Sequence, residues 1–248
     1  MLDEGLLEGR NVTRAFAIHQ SPIGPSGFVG TRPGPLLASA DEFTVTVTGK
    51  GGHASMPHHA VDPIPIACEM VGAFQTMVTR KIEAFRPAVV TVAKIRAGTT
   101  TNVIPETAVM YGTIRSVSER SRAQVFEELE RIATHIAQAH GATATFELEP
   151  GYPVTVNDTD AAAWVLDVAK GLVGDLAIEM PDPVMGAEDW SYVLQQVPGA
   201  MAFLGTCPPG VPLEKVAPNH SNRMIIDEDA MAVGTALYAA IALDECAA

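Results

Sequence analysis

Basic residues are scarce in this sequence. Its 248 residues include 16 Lys and Arg against 29 Asp and Glu, which gives a formal net charge of −13. Proteins that bind nucleic acids use clusters of Lys and Arg to contact phosphates, and the sequence shows no such cluster. The composition therefore argues against a nucleic-acid partner, while an acidic chain can still hold metal cations.

Cysteines and long apolar runs are also scarce. The three cysteines (Cys68, Cys207 and Cys246) are widely spaced, which gives no disulfide framework and suits a reducing cytoplasm. The longest strongly apolar run, Ala230 to Leu243, is too short to span a bilayer. The first eight residues carry acids where a signal peptide would carry bases. We therefore expect a cytoplasmic protein with no membrane partner.

Hydrophobic residues make up 47% of the chain, enough to form a core, and their spacing indicates where elements lie. In a stretch from about 41 to 151, Phe43, Val45 and Val47 alternate with threonines, as in a half-buried strand. A helical stripe later in this stretch covers Val125–Ala139, after a Ser118 placed to cap it. The full order β-α-β-β-α-β predicts a ferredoxin-like split βαβ sandwich.

The flanking stretches read as pieces of a different layer. A strand over Val12–Ile18 is followed by a loop rich in Pro and Gly. From Tyr152 onward we predict a helix after Asp158, a buried strand and a last helix from about Glu228. A complete small domain is thus predicted to be inserted between two pieces of a larger one.

Two histidines stand out in the flanking stretches. His19 directly follows the predicted strand ending at Ile18, and the carboxyl ends of strands in an α/β sheet are where ligands bind. His220 lies in a polar loop, and neutral imidazoles suit a borderline cation such as Zn²⁺. Taken alone, His19 is as readily a loop histidine as a ligand, and His220 reads more simply as a surface residue.

The inserted stretch and the segment after it hold further candidates. His53 follows a run of glycines that lets the backbone approach a ligand, although a hairpin-like turn with an incidental histidine also explains the pattern. His58 and His59 follow so closely that spacing does not choose among the three histidines. Asn102 and Arg115 flank a predicted strand and could clamp a carboxylate, although an ordinary solvated Arg is the favoured explanation when Arg115 is taken alone. Glu188 lies at a predicted helix start, where an acid either complements the helix dipole or sits beside a metal.

Taken in order, these segments resemble one family, the aminoacylase and hippurate hydrolase family of metal-dependent amidohydrolases. The branch concerned includes indole-acetyl-amino-acid hydrolases and N-acetyl-diaminopimelate deacetylases. The resemblance spans nearly the whole chain, and it rests on seven segments: Ala15–His19, Gly49–Ala54, Asp62–Ile64, Asn102–Pro105, Gly112–Ser116, Gly186–Ser191 and His220–Ser221 with Ile226–Glu228.

The resemblance implies an α/β fold, with part of a metallopeptidase-type α/β/α catalytic domain at 1–40 and 152–248. A ferredoxin-like lid and dimerisation domain would occupy 41–151. Family members hold two divalent metal ions per complete site (Zn, Mn, Co or Ni) and hydrolyse N-acyl amino acids such as hippurate with a metal-activated water. They usually form homodimers through the lid.

The resemblance also assigns roles. His19 and His220 match metal ligands, and His53 matches a catalytic lid histidine that stabilises the oxyanion in the partner subunit's site. Asn102 and Arg115 match residues that hold the substrate's carboxylate, and Glu188 matches a supporting position near the metals.

One departure from the family pattern leaves two alternative functional predictions. Relatives carry a Cys/His pair and an adjacent Glu-Glu pair of metal-site residues before the equivalent of His19, and this sequence has neither there. We expect the metal site in this chain to be incomplete. The alternative to an active amidohydrolase is therefore a truncated, inactive dimerisation and ligand-binding module of the same family.

Overall fold

A computed structural model describes residues 1–9 and 11–247. The helices are α1 (Pro63–Lys81), α2 (Glu119–Ala139), α3 (Thr159–Val173), α4 (Trp190–Leu194) and α5 (Ala230–Ala247). The longer strands are β1 (Ala15–Pro25), β4 (Asp41–Thr48), β6 (Ala88–Ala97), β8 (Thr107–Ser116), β9 (Thr143–Glu149) and β12 (Gly199–Cys207). The short strands are β2 (Val29–Thr31), β3 (Gly34–Leu37), β5 (Gly52–His53), β7 (Val103–Ile104), β10 (Thr155–Asn157) and β11 (Ala177–Glu179).

These elements form two compact units. The first comprises Met1–Leu36, Thr155–Val184 and Asp189–Ala248, and the second comprises Leu37–Val154 with Met185–Glu188. Over residues 1–9 and 11–247, none of the helices combines the length and apolar character needed to cross a membrane.

The second unit has the predicted β-α-β-β-α-β order. Its sheet has the strand order β6-β8-β4-β9 with antiparallel neighbours, which is the ferredoxin-like arrangement. The alternation seen in the sequence decides which face is buried, because Phe43, Val45 and Val47 pack with apolar residues of α1 and α2. The threonines between them lie on the opposite face of the sheet. The mixed α/β fold class is therefore confirmed.

Local signals set the helix ends in this unit. The Ser118 hydroxyl accepts a hydrogen bond from the Ser121 backbone N–H at 3.4 Å and so caps α2. The helix gives way at Gly141, whose φ of 72° lies in the left-handed region that favours glycine. Both positions are as the sequence predicted.

A buried ion pair between Asp41 and Arg122 lies where the two ends of the second unit meet. The Asp41 carboxylate is 0% exposed and accepts two hydrogen bonds from Arg122, at 2.6 and 2.9 Å. It also accepts one from the Gly151 backbone N–H at 3.1 Å. One residue away on each side, the Ala40 backbone N–H donates to the Tyr152 carbonyl at 2.9 Å. The two connecting segments of this unit therefore lie side by side.

The first unit is built around a sheet with the strand order β1-β12-β2-β11. Strands β1 and β12 are parallel from the pair Ala15–Gly199 to Ser21–Gly205. Apolar residues of α3 and α5 pack with β12, with Leu166, Leu204 and Leu237 in one core. The Asp158 carboxylate caps α3 by accepting from the Ala161 backbone N–H at 2.9 Å.

The sequence-based boundary of the first strand was wrong. The strand does not end at Ile18 but continues to Pro25, and the predicted Pro- and Gly-rich loop also contains β2 and β3. The physical reason is non-local. Gly205 on β12 comes so close to β1 that an added Cβ would lie 1.9 Å from the Pro25 carbonyl oxygen. A glycine far along the chain therefore lets the two strands stay together beyond His19.

Candidate functional site

His19 and His220 meet in one cleft of the first unit, although they are about 200 residues apart in sequence. The cleft has a volume of about 310 Å³ and is lined by Ile18, His19, Gln20, Asn219, His220 and Met224. His19 is held from within β1, whereas His220 lies in a turn with a φ of 69°, a conformation that non-glycine residues adopt infrequently.

The hydrogen bonding of His19 fixes its tautomer. Its Nδ1 lies 2.6 Å from the Gln20 carbonyl oxygen, which can only accept a hydrogen bond. Nδ1 therefore carries the proton, and the neutral ring keeps a lone pair on Nε2. Metal-ligating histidines have the same tautomer when one ring nitrogen donates to a backbone carbonyl and the other binds the metal.

Side-chain amides next to the two histidines link β1 to the loop of His220. The Gln20 Nε2 donates to Asn219 Oδ1 at 2.7 Å, and the Asn219 Nδ2 donates to the Gln20 carbonyl oxygen at 3.1 Å. The buried Thr206 hydroxyl donates to Gln20 Oε1 at 2.9 Å, which ties the same amide to β12. Sequence reasoning missed Gln20 and Asn219, although each is the immediate neighbour of a candidate histidine.

The two imidazoles fit a divalent metal ion as two of its ligands. Imidazole nitrogen is a usual ligand for zinc, and the lone pair on His19 Nε2 is what coordination requires. A catalytic zinc site has three protein ligands, however. In residues 1–9 and 11–247, no group of three or more His, Cys, Asp or Glu side chains is placed to hold a metal ion. The described residues thus supply part of a metal site.

His53 lies in the second unit, in a small structure that also holds Asn102. Strands β5 and β7 pair so that His53 faces Val103, and the Ala54 backbone N–H donates to the Asn102 carbonyl at 3.1 Å. Both side chains are exposed. The structure therefore brings these two predicted site residues together.

His53 has the tautomer opposite to that of His19. The Ser55 backbone N–H donates to His53 Nδ1 at 3.2 Å, with the Ser55 hydroxyl 2.8 Å from the same atom. Nδ1 therefore acts as an acceptor, and the neutral ring carries its proton on Nε2. An exposed N–H of this kind can donate to a developing oxyanion.

Arg115 is not close to His53 and Asn102 within the second unit. The β5–β7 pair adjoins the start of β8, since the Gly49 backbone N–H donates to the Glu106 carbonyl at 2.9 Å. Arg115 stands near the other end of β8, eight residues beyond Thr107 or about 27 Å along the strand. That separation is much longer than an N-acyl amino acid.

Glu188 belongs to the short segment Met185–Glu188 and precedes α4. Its side chain is half-buried and has an interaction within the structure. Its supporting role near a metal stays a prediction.

Comparison with known proteins gives the family. The profile of the M20 peptidase dimerisation domain matches residues 38–141, which lie in the second unit. The second unit therefore contains an M20 peptidase dimerisation domain. Relatives of similar sequence extend the likeness over both units. The predicted resemblance to metal-dependent amidohydrolases of this family is confirmed.

Two of these relatives come from a bacterium and an archaeon. Thermostable carboxypeptidase 2 of Saccharolobus solfataricus is 37% identical over 98% of this chain and 60% of its own length. N-acetylcysteine deacetylase of Bacillus subtilis is 33% identical over 98% of this chain and 61% of its own length. The chain thus spans about three fifths of the length of the curated relatives it matches.

Solved structures agree with this assignment. An aminohydrolase from methicillin-resistant Staphylococcus aureus matches with a TM-score of 0.89 and 28% identity, over 98% of this chain and 61% of its own. A Bacillus subtilis protein described as a dinuclear metal binding peptidase of the M20 family matches with a TM-score of 0.77 and 29% identity, over 97% and 59%.

Proposed function

We propose that this chain acts in a metal-dependent amidohydrolase that cleaves the amide bond of N-acyl amino acids, with hippurate-like compounds as the substrate class. The observation that carries the proposal is the cleft that His19 and His220 share, with the tautomer of His19 suited to coordination. The names of the relatives support the reaction type, because they include deacetylases and an amino acid hydrolase.

In this proposal His19 and His220 supply two ligands to a divalent metal. Bound metal ions would lower the pKa of a water molecule and supply the nucleophile. His53 donates its Nε2–H to the oxyanion that develops on the amide carbonyl, and an interaction of this type is worth roughly 3–4 kcal/mol. Arg115 pairs with the amino-acid carboxylate, and Asn102 orients the same end of the substrate.

The separation of Arg115 from His53 and Asn102 requires two protomers in this mechanism. A single small substrate cannot touch both ends of β8 in one chain, because about 27 Å separates them. We therefore propose that the His53–Asn102 pair of one protomer completes the site of its partner, which contributes Arg115. A two-fold symmetric homodimer would then hold two equivalent sites.

The surface beside strand β6 supports dimerisation at that edge. β6 stands at one end of the β6-β8-β4-β9 order, and an edge strand presents backbone groups that can pair with another chain. Three large apolar side chains are exposed on or near it: Phe85 is 94% exposed, with Val89 and Ile95 about half exposed. Exposed apolar surface around a sheet edge is typical of a protein interface.

The reaction can be tested directly with the 248-residue chain. The chain is incubated with hippurate or N-acetyl amino acids and with Zn²⁺, Mn²⁺, Co²⁺ or Ni²⁺, and the free amino acid is measured. Hydrolysis that depends on added metal and that is lost in the variants His19→Ala and His220→Ala would support the proposal, and it would show that two histidine ligands are enough for activity. Absence of hydrolysis with all four metals would overturn the amidohydrolase proposal for this chain.

Mixing two defective variants tests the shared site. His53→Ala and Arg115→Ala are each expected to be strongly impaired. If the two residues serve one site from different protomers, equilibrating the variants restores about a quarter of the wild-type activity, because half of the dimers each regain one intact site. If both residues served the same site from one chain, the mixture would stay as inactive as its components.

A second candidate function is a non-catalytic dimerisation and ligand-binding module. It is favoured by the absence, within 1–9 and 11–247, of a third metal ligand beside the two histidines. In that case the chain binds an N-acyl amino acid without hydrolysing it. Saturable binding of hippurate in calorimetry, together with no release of glycine, would identify this function.

A further inference from the structure

We infer that Gln20 and Asn219 are positioning residues whose paired side-chain amides hold His19 and His220 together as a two-imidazole metal-binding unit. This inference rests on the proposed metal-binding role of the two histidines. It goes beyond that role because it names the residues that bring together ligands about 200 positions apart in the sequence.

Both ends of the Gln20 side-chain amide form hydrogen bonds. Its Oε1 accepts from the Thr206 hydroxyl at 2.9 Å, and its Nε2 donates to Asn219 Oδ1 at 2.7 Å. Thr206 is 1% exposed and lies in β12. The Gln20 side chain therefore bridges a rigid strand of the sheet to the loop that carries His220.

The Gln20 carbonyl oxygen contacts both Asn219 and His19. It accepts from Asn219 Nδ2 at 3.1 Å and lies 2.6 Å from His19 Nδ1. One backbone oxygen thus orients the His19 ring and anchors the residue before His220. A displacement of Asn219 would move His220, because the two are joined by a single peptide unit.

The loop that carries His220 needs a contact that holds it in place. His220 is exposed and has a φ of 69°, so neither burial nor backbone preference holds it in place. The Gln20–Asn219 bonds tie the residue before His220 to β1, and Gln20 Nε2 also contacts Met224 Sδ at 3.8 Å further along the same loop. Partners that orient ligands in this way usually change metal affinity by about 10–100-fold when mutated.

The test is the affinity of the 248-residue chain for Ni²⁺, measured by calorimetry and by the absorbance of the bound ion. We expect His19→Ala and His220→Ala to abolish the site. Gln20→Ala and Asn219→Ala should each weaken Ni²⁺ binding at least about tenfold at a temperature where circular dichroism shows that each variant is folded. Asn222→Ala is the matched control, because Asn222 is an exposed amide on the same loop, and its affinity should equal that of the wild type.

A double variant separates positioning from two unrelated effects. Because both amides belong to one bridge, Gln20→Ala combined with Asn219→Ala should weaken binding no more than the larger single loss. Losses that multiply, or single variants that bind Ni²⁺ like the wild type, would overturn the inference. So would a wild-type chain whose Ni²⁺ binding is absent or is insensitive to the histidine variants.

These outcomes are distinguishable from failure of the proposed function. A chain that hydrolyses none of the N-acyl amino acids but shows the coupled loss of Ni²⁺ affinity refutes the amidohydrolase proposal and supports the inference. Metal-dependent hydrolysis with unchanged Ni²⁺ affinity in the amide variants supports the amidohydrolase proposal and refutes the inference about Gln20 and Asn219.

Discussion

Replacing Arg122 with Ala should destabilise the second unit more than any surface substitution. Asp41 is 0% exposed and Arg122 is 11% exposed, so this ion pair lies in the interior. Its removal leaves the Asp41 carboxylate buried, with the Gly151 backbone N–H at 3.1 Å and the Ser39 hydroxyl at 3.3 Å as partners. Breaking a buried pair from one side costs about 3–5 kcal/mol.

The converse substitution should cost less. In Asp41→Ala the Arg122 guanidinium keeps the Glu119 carboxylate at 3.0 Å and has partial access to solvent. The double variant should then be less destabilised than the sum of the two single changes, since no unpaired buried charge remains. The order of stability is expected to be wild type, Asp41→Ala and then Arg122→Ala.

Urea unfolding followed by far-UV circular dichroism measures these differences. Native-state hydrogen exchange at the Ala40 and Gly151 amides reports the loss of stability locally. Both amides lie next to the ion pair, where the two ends of the second unit meet. Arg131→Ala is a suitable control, since its ion pair with Glu128 is half exposed and should contribute about 0–1 kcal/mol. A loss below about 1 kcal/mol in Arg122→Ala would refute the reasoning from burial.

Three further predictions concern the interface and the backbone. Phe85→Ser should weaken self-association about 30-fold in sedimentation equilibrium, as for an interface hot spot, whereas Ile225→Ser, which changes an exposed residue of the first unit, should not. Gly205→Ala should lower the thermal midpoint, because its Cβ would lie 1.9 Å from the Pro25 carbonyl oxygen. We expect a loss of about 1–3 kcal/mol in the free energy of unfolding. An unchanged midpoint would show that the two strands can move apart. Ser118→Ala removes the cap of α2 and should cost about 1 kcal/mol in urea unfolding; no loss would mean that water replaces the hydroxyl.

The second unit was predictable from the sequence because its signals are local. The alternation at Phe43, Val45 and Val47, the cap at Ser118 and the stop at Gly141 each describe a few neighbouring residues, and the structure confirms them. Periodicity and capping need no knowledge of distant contacts.

The first strand was only partly predictable because its second half depends on a distant residue. Proline and glycine between Pro22 and Pro35 indicate a loop by composition, yet part of this stretch pairs with β12 next to Gly205. No residue near Pro25 in the sequence indicates that this stretch pairs with β12.

The candidate site divides in the same way. His19 and His220 could be named from a family resemblance, and the structure places them in one cleft. The Gln20–Asn219 bridge could not be named, since a hydrogen bond between residues about 200 positions apart leaves no periodic trace. The distance between Arg115 and Asn102 was likewise hidden, because it follows from the direction of β8 within the sheet.

The hydrogen bond from Ala40 to Tyr152 has an evolutionary consequence. Because the chain leaves the second unit beside the point where it arrived, this unit is a cassette between two adjacent attachment points. A cassette of this kind can be deleted, lengthened or exchanged by recombination while the flanking polypeptide needs only a short splice. The second unit could therefore diversify at a different pace from the flanking polypeptide.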